Sequence, residues 1–312
     1  MEKEEKTSIR KKKTIDEANL IDDLLMKLVV SDPNVGADFC RVLLSVLLQK
    51  KVGEVKVMAQ VELPGDNETF RGVRIDVEVE EPDIDFPDMV ANVFDIEPHT
   101  KKEKGFARTM RFRQAKIDSR RMKSGDDDFS HLPNLYVISI TNYDPFGQDY
   151  MLYTIYNRCK EVPMLEYDDG LCYLYFNTMG TLGGSESIKN MLNYIQDSRK
   201  NAVVDEATSE ISNYVESVRS DPVRRERYMT FGEKMDLLYK EGRDEGREEG
   251  REQQLLIQII KKLEKGKAPE QIADELEEDV ARVTAICDVA KEFAPNYDIN
   301  EIWDQLHAEE AE

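Results

Sequence analysis

Cysteine and long apolar runs are scarce in this chain and basic residues are outnumbered by acidic ones, and each of these facts excludes something. Only four cysteines occur among 312 residues, and Cys40, Cys159, Cys172 and Cys287 lie far apart with no CxxC pair. That argues against a zinc ribbon or a disulfide framework and fits a reducing compartment, the cytoplasm being the simplest expectation. The most apolar stretches, such as VLLSVLL, fall far short of the roughly 20 residues needed to cross a bilayer. The opening residues MEKEEKTSIRKKKT are charged, unlike a signal peptide. A soluble protein with no membrane partner is therefore expected. Lys and Arg number 43 against 64 Asp and Glu, a net charge of −21, and a chain that acidic repels nucleic acid unless its positive charge is gathered in one place.

It is so gathered. From Lys101 to Lys123 ten bases face only two acids, Glu103 and Asp118. From Glu270 to Glu312 the balance reverses, with fourteen acids against Arg282 and Lys291. The two parts of the molecule are expected to meet different partners. At 40% hydrophobic content the chain can bury one good-sized core plus a smaller appendage.

Periodicity supplies the organisation. IDEANLIDDLLMKLVVSDP reads as a helix stopped by Asp32-Pro33, and ADFCRVLLSVLLQ as a second, with apolar spacing of three and four. VGEVKVMAQVELPG, RGVRIDVEVEE and ANVFDIEPH then show the alternation and Val/Ile enrichment of strands. A basic helix is expected over about 105–123, then a buried strand at LYVISIT, two short strands at MLYTIYNRC and LCYLYFNT, and helix from Ser187 onward. The pattern predicts an α/β sheet with helices on its faces. The expected boundaries are a charged tail at 1–13, the α/β domain at 14–235, a Gly/Glu/Arg-rich linker at 236–254 and an acidic helical module at 255–312.

The chemistry concentrates on two of the strands. Alternation sets Val73, Ile75, Val77 and Val79 on one face of RGVRIDVEVE and Arg74, Asp76, Glu78 and Glu80 on the other. FDIEPH repeats this, with Asp95, Glu97 and His99 on one face and Phe94 and Ile96 directed to a core. One reading is an exposed polar face. The other is a divalent cation held between neighbouring strands, since Mg²⁺ takes one or two protein carboxylates and keeps several waters. Pro98 lacks an N–H, so the strand is expected to end or turn there, leaving its carbonyl free to be a ligand.

In the basic helix, at about 100° per residue, Arg113, Lys116, Arg120 and Lys123 fall within an arc of about 80°. Ala107, Met110, Gln114 and Ile117 fall opposite. One face could track phosphates while the other lies on the sheet; a solvated surface helix is the alternative.

These residues together resemble the PD-(D/E)XK nuclease family, in its transposase-like, recombination-promoting branch. IDDLLMKLVVSDP resembles the first helix of that family, with Asp23 and Lys27 at motif positions and Met26 in place of Phe. GVRIDVEVE is similar to the strand bearing the first metal-binding Asp, here Asp76 after Arg74, and FDIEPH to the strand bearing the second acid, here Glu97. MRFRQAKID resembles the following helix, whose Arg-Tyr-Tyr-Gln becomes Arg111, Phe112, Arg113 and Gln114. LYVISITNYDPFGQDYMLYTIYNRC follows the family's strand, Asp-Pro-Phe-Gly turn and Asn-Arg-Cys ending. The resemblance covers roughly 14–235, and EGRDEGREEGRE beyond it is also typical.

It implies a restriction-endonuclease-like mixed sheet flanked by helices, followed by an all-α region. It also implies a Mg²⁺-dependent deoxyribonuclease, with Mn²⁺ as a substitute, that hydrolyses phosphodiester bonds. The cation would be held by Asp76, Glu97 and the Pro98 carbonyl; Gln114 and Arg111 would orient the scissile group and Asp23 would assist. His99 stands where the family has Lys or Gln. An imidazole there could accept a proton from water or bind the metal, or could record a lost activity in a fold kept as a binding or interaction module.

In EGRDEGREEGRE, Gly242, Gly246 and Gly250 each cost a helix about 1 kcal/mol relative to Ala, so 236–254 is either a self-association helix or a flexible tether. Beyond it, a helix, a turn at Gly266, a helix begun by Pro269 and a third near Asp279 outline a helix-turn-helix. Its acidity argues against reading DNA and for protein contact. Trp303 is expected to anchor its end.

Overall fold

The computed structural model describes residues 13–63, 73–122 and 128–308. Contacts divide the chain into two compact units, Met1–Thr230 and Phe231–Glu312.

In the first unit, helices α1 (Asp23–Val30) and α2 (Gly36–Leu47) precede strands β1 (Lys56–Leu63), β2 (Val73–Pro82) and β3 (Val90–His99). Helix α3 (Phe106–Ser119) leads to β4 (Asn134–Thr141), β5 (Leu152–Ile155) and β6 (Leu171–Asn177), then α4 (Glu186–Gln196) and α5 (Glu206–Ser220). The strands form one mixed sheet in the order β1-β2-β3-β4-β6-β5. β1-β2 and β2-β3 pair antiparallel, β3-β4 and β4-β6 are parallel, and β5 returns antiparallel to β6. The parallel step from β3 to β4 requires a crossover, and α3 is that crossover.

Alternation along the strands sorts the side chains into two layers. Val77, Val79, Phe94, Ile96, Ile138, Ile140, Leu174 and Phe176 face the larger core, completed by α1, α2, α4 and α5. On the other face Val93, Leu135, Val137 and Tyr175 meet Met110 and Ile117 of α3. The α/β architecture expected from periodicity is present. The first helix is shorter than its periodicity suggests, because the chain before Asp23 is held in turns by tertiary bonds. Leu20 N–H donates to Ser198 Oγ at 2.9 Å and Ile21 N–H to Ile195 O at 3.0 Å. Ile15, Leu20 and Ile21 are buried there without being helical. The Asp-Pro-Phe-Gly turn is organised by Asp144, whose carboxylate accepts from the N–H groups of Phe146 (2.9 Å), Gly147 (2.8 Å) and Asp149 (2.6 Å) and from the Tyr153 hydroxyl (2.8 Å).

Helix α6 is continuous over Pro222–Leu263, so EGRDEGREEGRE is helical rather than a tether, and open space surrounds Gly246 and Gly250. The second unit continues with α7 (Pro269–Leu276), α8 (Val280–Glu292) and α9 (Ile299–Ala308). Gly266 turns at φ 75°, Pro269 opens α7, and Asp279 caps α8 by accepting from Arg282 N–H at 2.9 Å. Its apolar contacts are small: Ile259 with Ile272, Val283 and Cys287, and Leu256 with Ile260, Ala290 and Ile302. Trp303 packs on this second group.

Candidate functional site

The site is set by the register of β2, β3 and β4. Glu78 lies across from Asp95 on β3, and Asp95 and Glu97 lie beside Val137 and Ser139 of β4. All share the face under α3, and the expectation of an exposed polar face there is wrong. Glu78 and Asp95 are wholly buried and Glu97 is 4% exposed. The β2–β3 ladder runs to Val77↔Ile96, whereas β3 continues beside β4 to His99↔Thr141. Pro98 lies one residue before the end of β3 at His99, close to where the sequence expects the strand to stop, and past the last described β2 pair. Asp76 belongs to β2 and immediately precedes Val77; its side chain lies outside the described residues, as does all of Lys123.

Three buried carboxylates need positive charge close by, since an uncompensated buried charge costs several kcal/mol. Helix α3 supplies it. Gly105, at φ 73°, turns the chain into the helix, and the inward stripe is Phe106, Met110, Arg113 and Ile117, spaced four, three and four apart. Arg113 Nε is 3.1 Å from Asp95 Oδ2 and its Nη2 is 3.0 Å from Asp95 Oδ1, and Nη2 also contacts Glu97 Oε1. Arg120 and Arg121 both contact Glu78, and Arg121 Nη1 reaches Glu80 at 2.6 Å.

The helical wheel is thus corrected at several positions. Arg113 is not on the solvent side with Lys116; it is 7% exposed and inward. Arg120 pairs with Glu78 rather than standing ready for phosphate. Ala107, expected inward, is exposed, and Gln114 is half-buried and donates to Asp118. The inward stripe is rotated toward Arg113 because the buried acids outweigh the small apolar gain of burying Ala107. The exposed bases are Lys101, Lys102, Lys104, Arg108, Arg111 and Arg120, of which Arg120 is paired with Glu78; Lys116 and Arg121 are half-buried.

His99 ends β3 two residues after Glu97. Its side chain is 10% exposed, with Nδ1 3.5 Å from Glu103 Oε1, and its ring stands edge-on to Phe106 at 4.8 Å. Asp23 lies on α1, on the opposite side of the sheet from α3, where Lys27 Nζ approaches its Oδ2 at 2.5 Å. Glu97, Pro98 and His99 are brought together with Arg113. The helical calculation missed Glu78, Asp95 and Arg121 as partners. The signal for them was present: two acid-bearing strands adjacent in sequence, followed by a helix with paired arginines.

Burial raises the Glu78 carboxyl above its usual 4.5, opposed by Arg120 and Arg121. A carboxyl that holds its proton more tightly folded than unfolded lends stability that is full below 4.5 and fades as pH rises through the raised folded value. Glu78→Gln is therefore expected to flatten that fall, so that the variant gains on the wild type in urea unfolding from pH 4.5 upward. Parallel stability curves would remove Glu78 as its cause.

The carboxylates and the Pro98 carbonyl are hard oxygen donors of the kind Mg²⁺ takes. Among the described residues no group of three or more His, Cys, Asp or Glu is placed to hold a metal ion. No helix among the described residues is long and apolar enough to cross a membrane. The chain matched no family model, no curated protein and no solved structure, and the site is read from its own residues.

Proposed function

We propose that this chain is a divalent-cation-dependent endonuclease acting on DNA, of the PD-(D/E)XK type in its recombination-promoting branch. The observation that carries the reading is the position of Glu97: a buried carboxylate one residue past the last described β2–β3 pair, Val77↔Ile96, in a central strand joined to its parallel neighbour through a basic helix. The element order of two helices, three strands paired antiparallel in sequence, a crossover helix and a parallel strand supports the restriction-endonuclease-like fold. Asp76, Glu97 and the Pro98 carbonyl would hold Mg²⁺ or Mn²⁺. A cation bound there supplies Lewis-acid charge to a phosphate and lowers the pKa of a water. His99, on the face of Glu97 and close to the end of β3, is placed to take a proton from an attacking water. Phosphate contact falls to the exposed Lys101, Lys102, Lys104, Arg108 and Arg111 rather than to Arg113 and Arg120, which the acids already occupy. Gln114 and Asp23, turned toward Asp118 and Lys27, are given no direct part.

A second reading has its own support. Arg113 stands where the family has Tyr and His99 where it has Lys or Gln, which is what a nuclease fold retained as a binding module would show. Incubation of supercoiled plasmid with purified protein in Mg²⁺, Mn²⁺ or EDTA separates the two. Metal-dependent nicking that Asp76→Ala abolishes is expected, with His99→Ala reduced by about 10²-fold if the imidazole is the base. Folded protein that nicks under no metal would favour the binding module, with the acidic helices of the second unit as the surface for a protein partner.

A further inference from the structure

We infer that Arg113 is an internal counter-cation that competes with the divalent cation for Glu97, with Asp95 as the post that holds it there. This rests on the cation site proposed above and adds its regulation. Two of the contacts of Arg113 carry the argument. Its Nε and Nη2 form a two-point pair with Asp95 at 3.1 and 3.0 Å, and the same Nη2 contacts Glu97 Oε1. The side chains of Arg113, Asp95 and Glu97 are 8%, 0% and 6% exposed, so little solvent screens the charges, and the charge on Glu97 is balanced locally or not at all.

The two-point geometry decides which contact yields. A fork-to-carboxylate pair is stronger and more directional than a single shared N–H. When a divalent cation approaches Glu97, the guanidinium repels it, and the weaker Nη2–Glu97 contact is the one that opens. Asp95 keeps the arginine in place, so the competition is built in and reversible. Cation affinity is thereby set lower than the carboxylates alone would give, and Arg113 returns to Glu97 when the cation leaves. The residue is a positioning residue for the cation and not a phosphate contact.

The test is Mn²⁺ binding to the full chain, read as loss of free Mn²⁺ signal in electron paramagnetic resonance, with no DNA present. Arg113→Gln is expected to bind Mn²⁺ about tenfold more tightly than the wild type. Arg113→Lys, which keeps the charge, should stay near the wild type, and Glu97→Gln should lose the binding. A purely structural arginine would give the opposite order, with Arg113→Gln binding more weakly. Because Arg113→Gln removes the guanidinium from two buried carboxylates, the double variant Arg113→Gln/Asp95→Asn is measured beside it. It retains only Glu97 of the pair and is expected to show the same tightening. Equal or weaker Mn²⁺ binding by both variants, in a protein that nicks plasmid, overturns the competition and leaves the nuclease reading standing. Absence of Mn²⁺ binding and of nicking in every form overturns both.

Discussion

Glu97→Gln is expected to lower metal-dependent nicking by about 10²- to 10³-fold while leaving the protein folded. The substitution keeps the size and one oxygen of the side chain and removes only its charge. Its effect on stability is contained by the pairing already present, because Arg113 retains both bonds to Asp95 at 3.0 and 3.1 Å. The loss is then one charged contact at the proposed cation site, where an amide would be a far weaker ligand for a hard divalent ion than the carboxylate. Glu97→Ala would confuse the two effects by opening a cavity under α3 as well. The decisive comparison is the single-turnover nicking rate against the melting temperature: a rate lost with a melting temperature within a few degrees of the wild type places the residue in the chemistry. A Glu97→Gln protein that nicks at the wild-type rate would remove Glu97 from the site, whatever it did to stability.

How much of this was legible in the sequence depends on which signal each residue obeyed. The period-two alternation of RGVRIDVEVE and FDIEPH assigned Val77, Val79, Phe94 and Ile96 to a core, and all four are buried by 99% or more. It could not say what covers the opposite face, because burial of a carboxylate depends on a partner distant in the chain. The same limit defeated the helical wheel. Apolar residues alone centre the inward stripe of α3 near Gln114, whereas the helix rotates to bring Arg113 over Asp95, a charge effect larger than any apolar difference between Ala107 and Phe106. Pro98 obeyed a local signal: its missing N–H disfavours a fully paired interior position, and β3 ends one residue beyond it, at His99. The start of α1 depended on Ser198 and Ile195, more than 170 residues away in sequence, which no local period records. In the second unit every signal was local, namely Gly266, Pro269 and the Asp279 cap, and there the elements fall where the sequence places them.

Phe94→Ala is expected to cost about 3–5 kcal/mol of folding stability, the range for truncating a buried aromatic that its surroundings cannot refill. Phe94 is wholly buried, and its ring stacks on Tyr136 of the neighbouring strand at 5.1 Å with 22° between planes. Refilling is opposed from both sides. On its own face the neighbours Val79 and Ile96 belong to paired strands whose backbones cannot move inward without breaking ladder bonds. On the other face Asp95 is tied to Arg113, so β3 cannot sink into the void without straining that pair. A cavity that stays open carries the full penalty, and Phe94→Leu, which fills most of it, should cost about 1–2 kcal/mol. Amide hydrogen exchange of β3, β4 and β6 reports the opening free energy of this sheet directly. The single tryptophan cannot, since Trp303 lies in the second unit. A loss below about 1 kcal/mol for Phe94→Ala would mean that β3 does relax into the space. The clamp between the core on one face and the Asp95–Arg113 pair on the other would then be too loose to hold Glu97 in a fixed place, and the proposed cation site would lose the rigidity it needs.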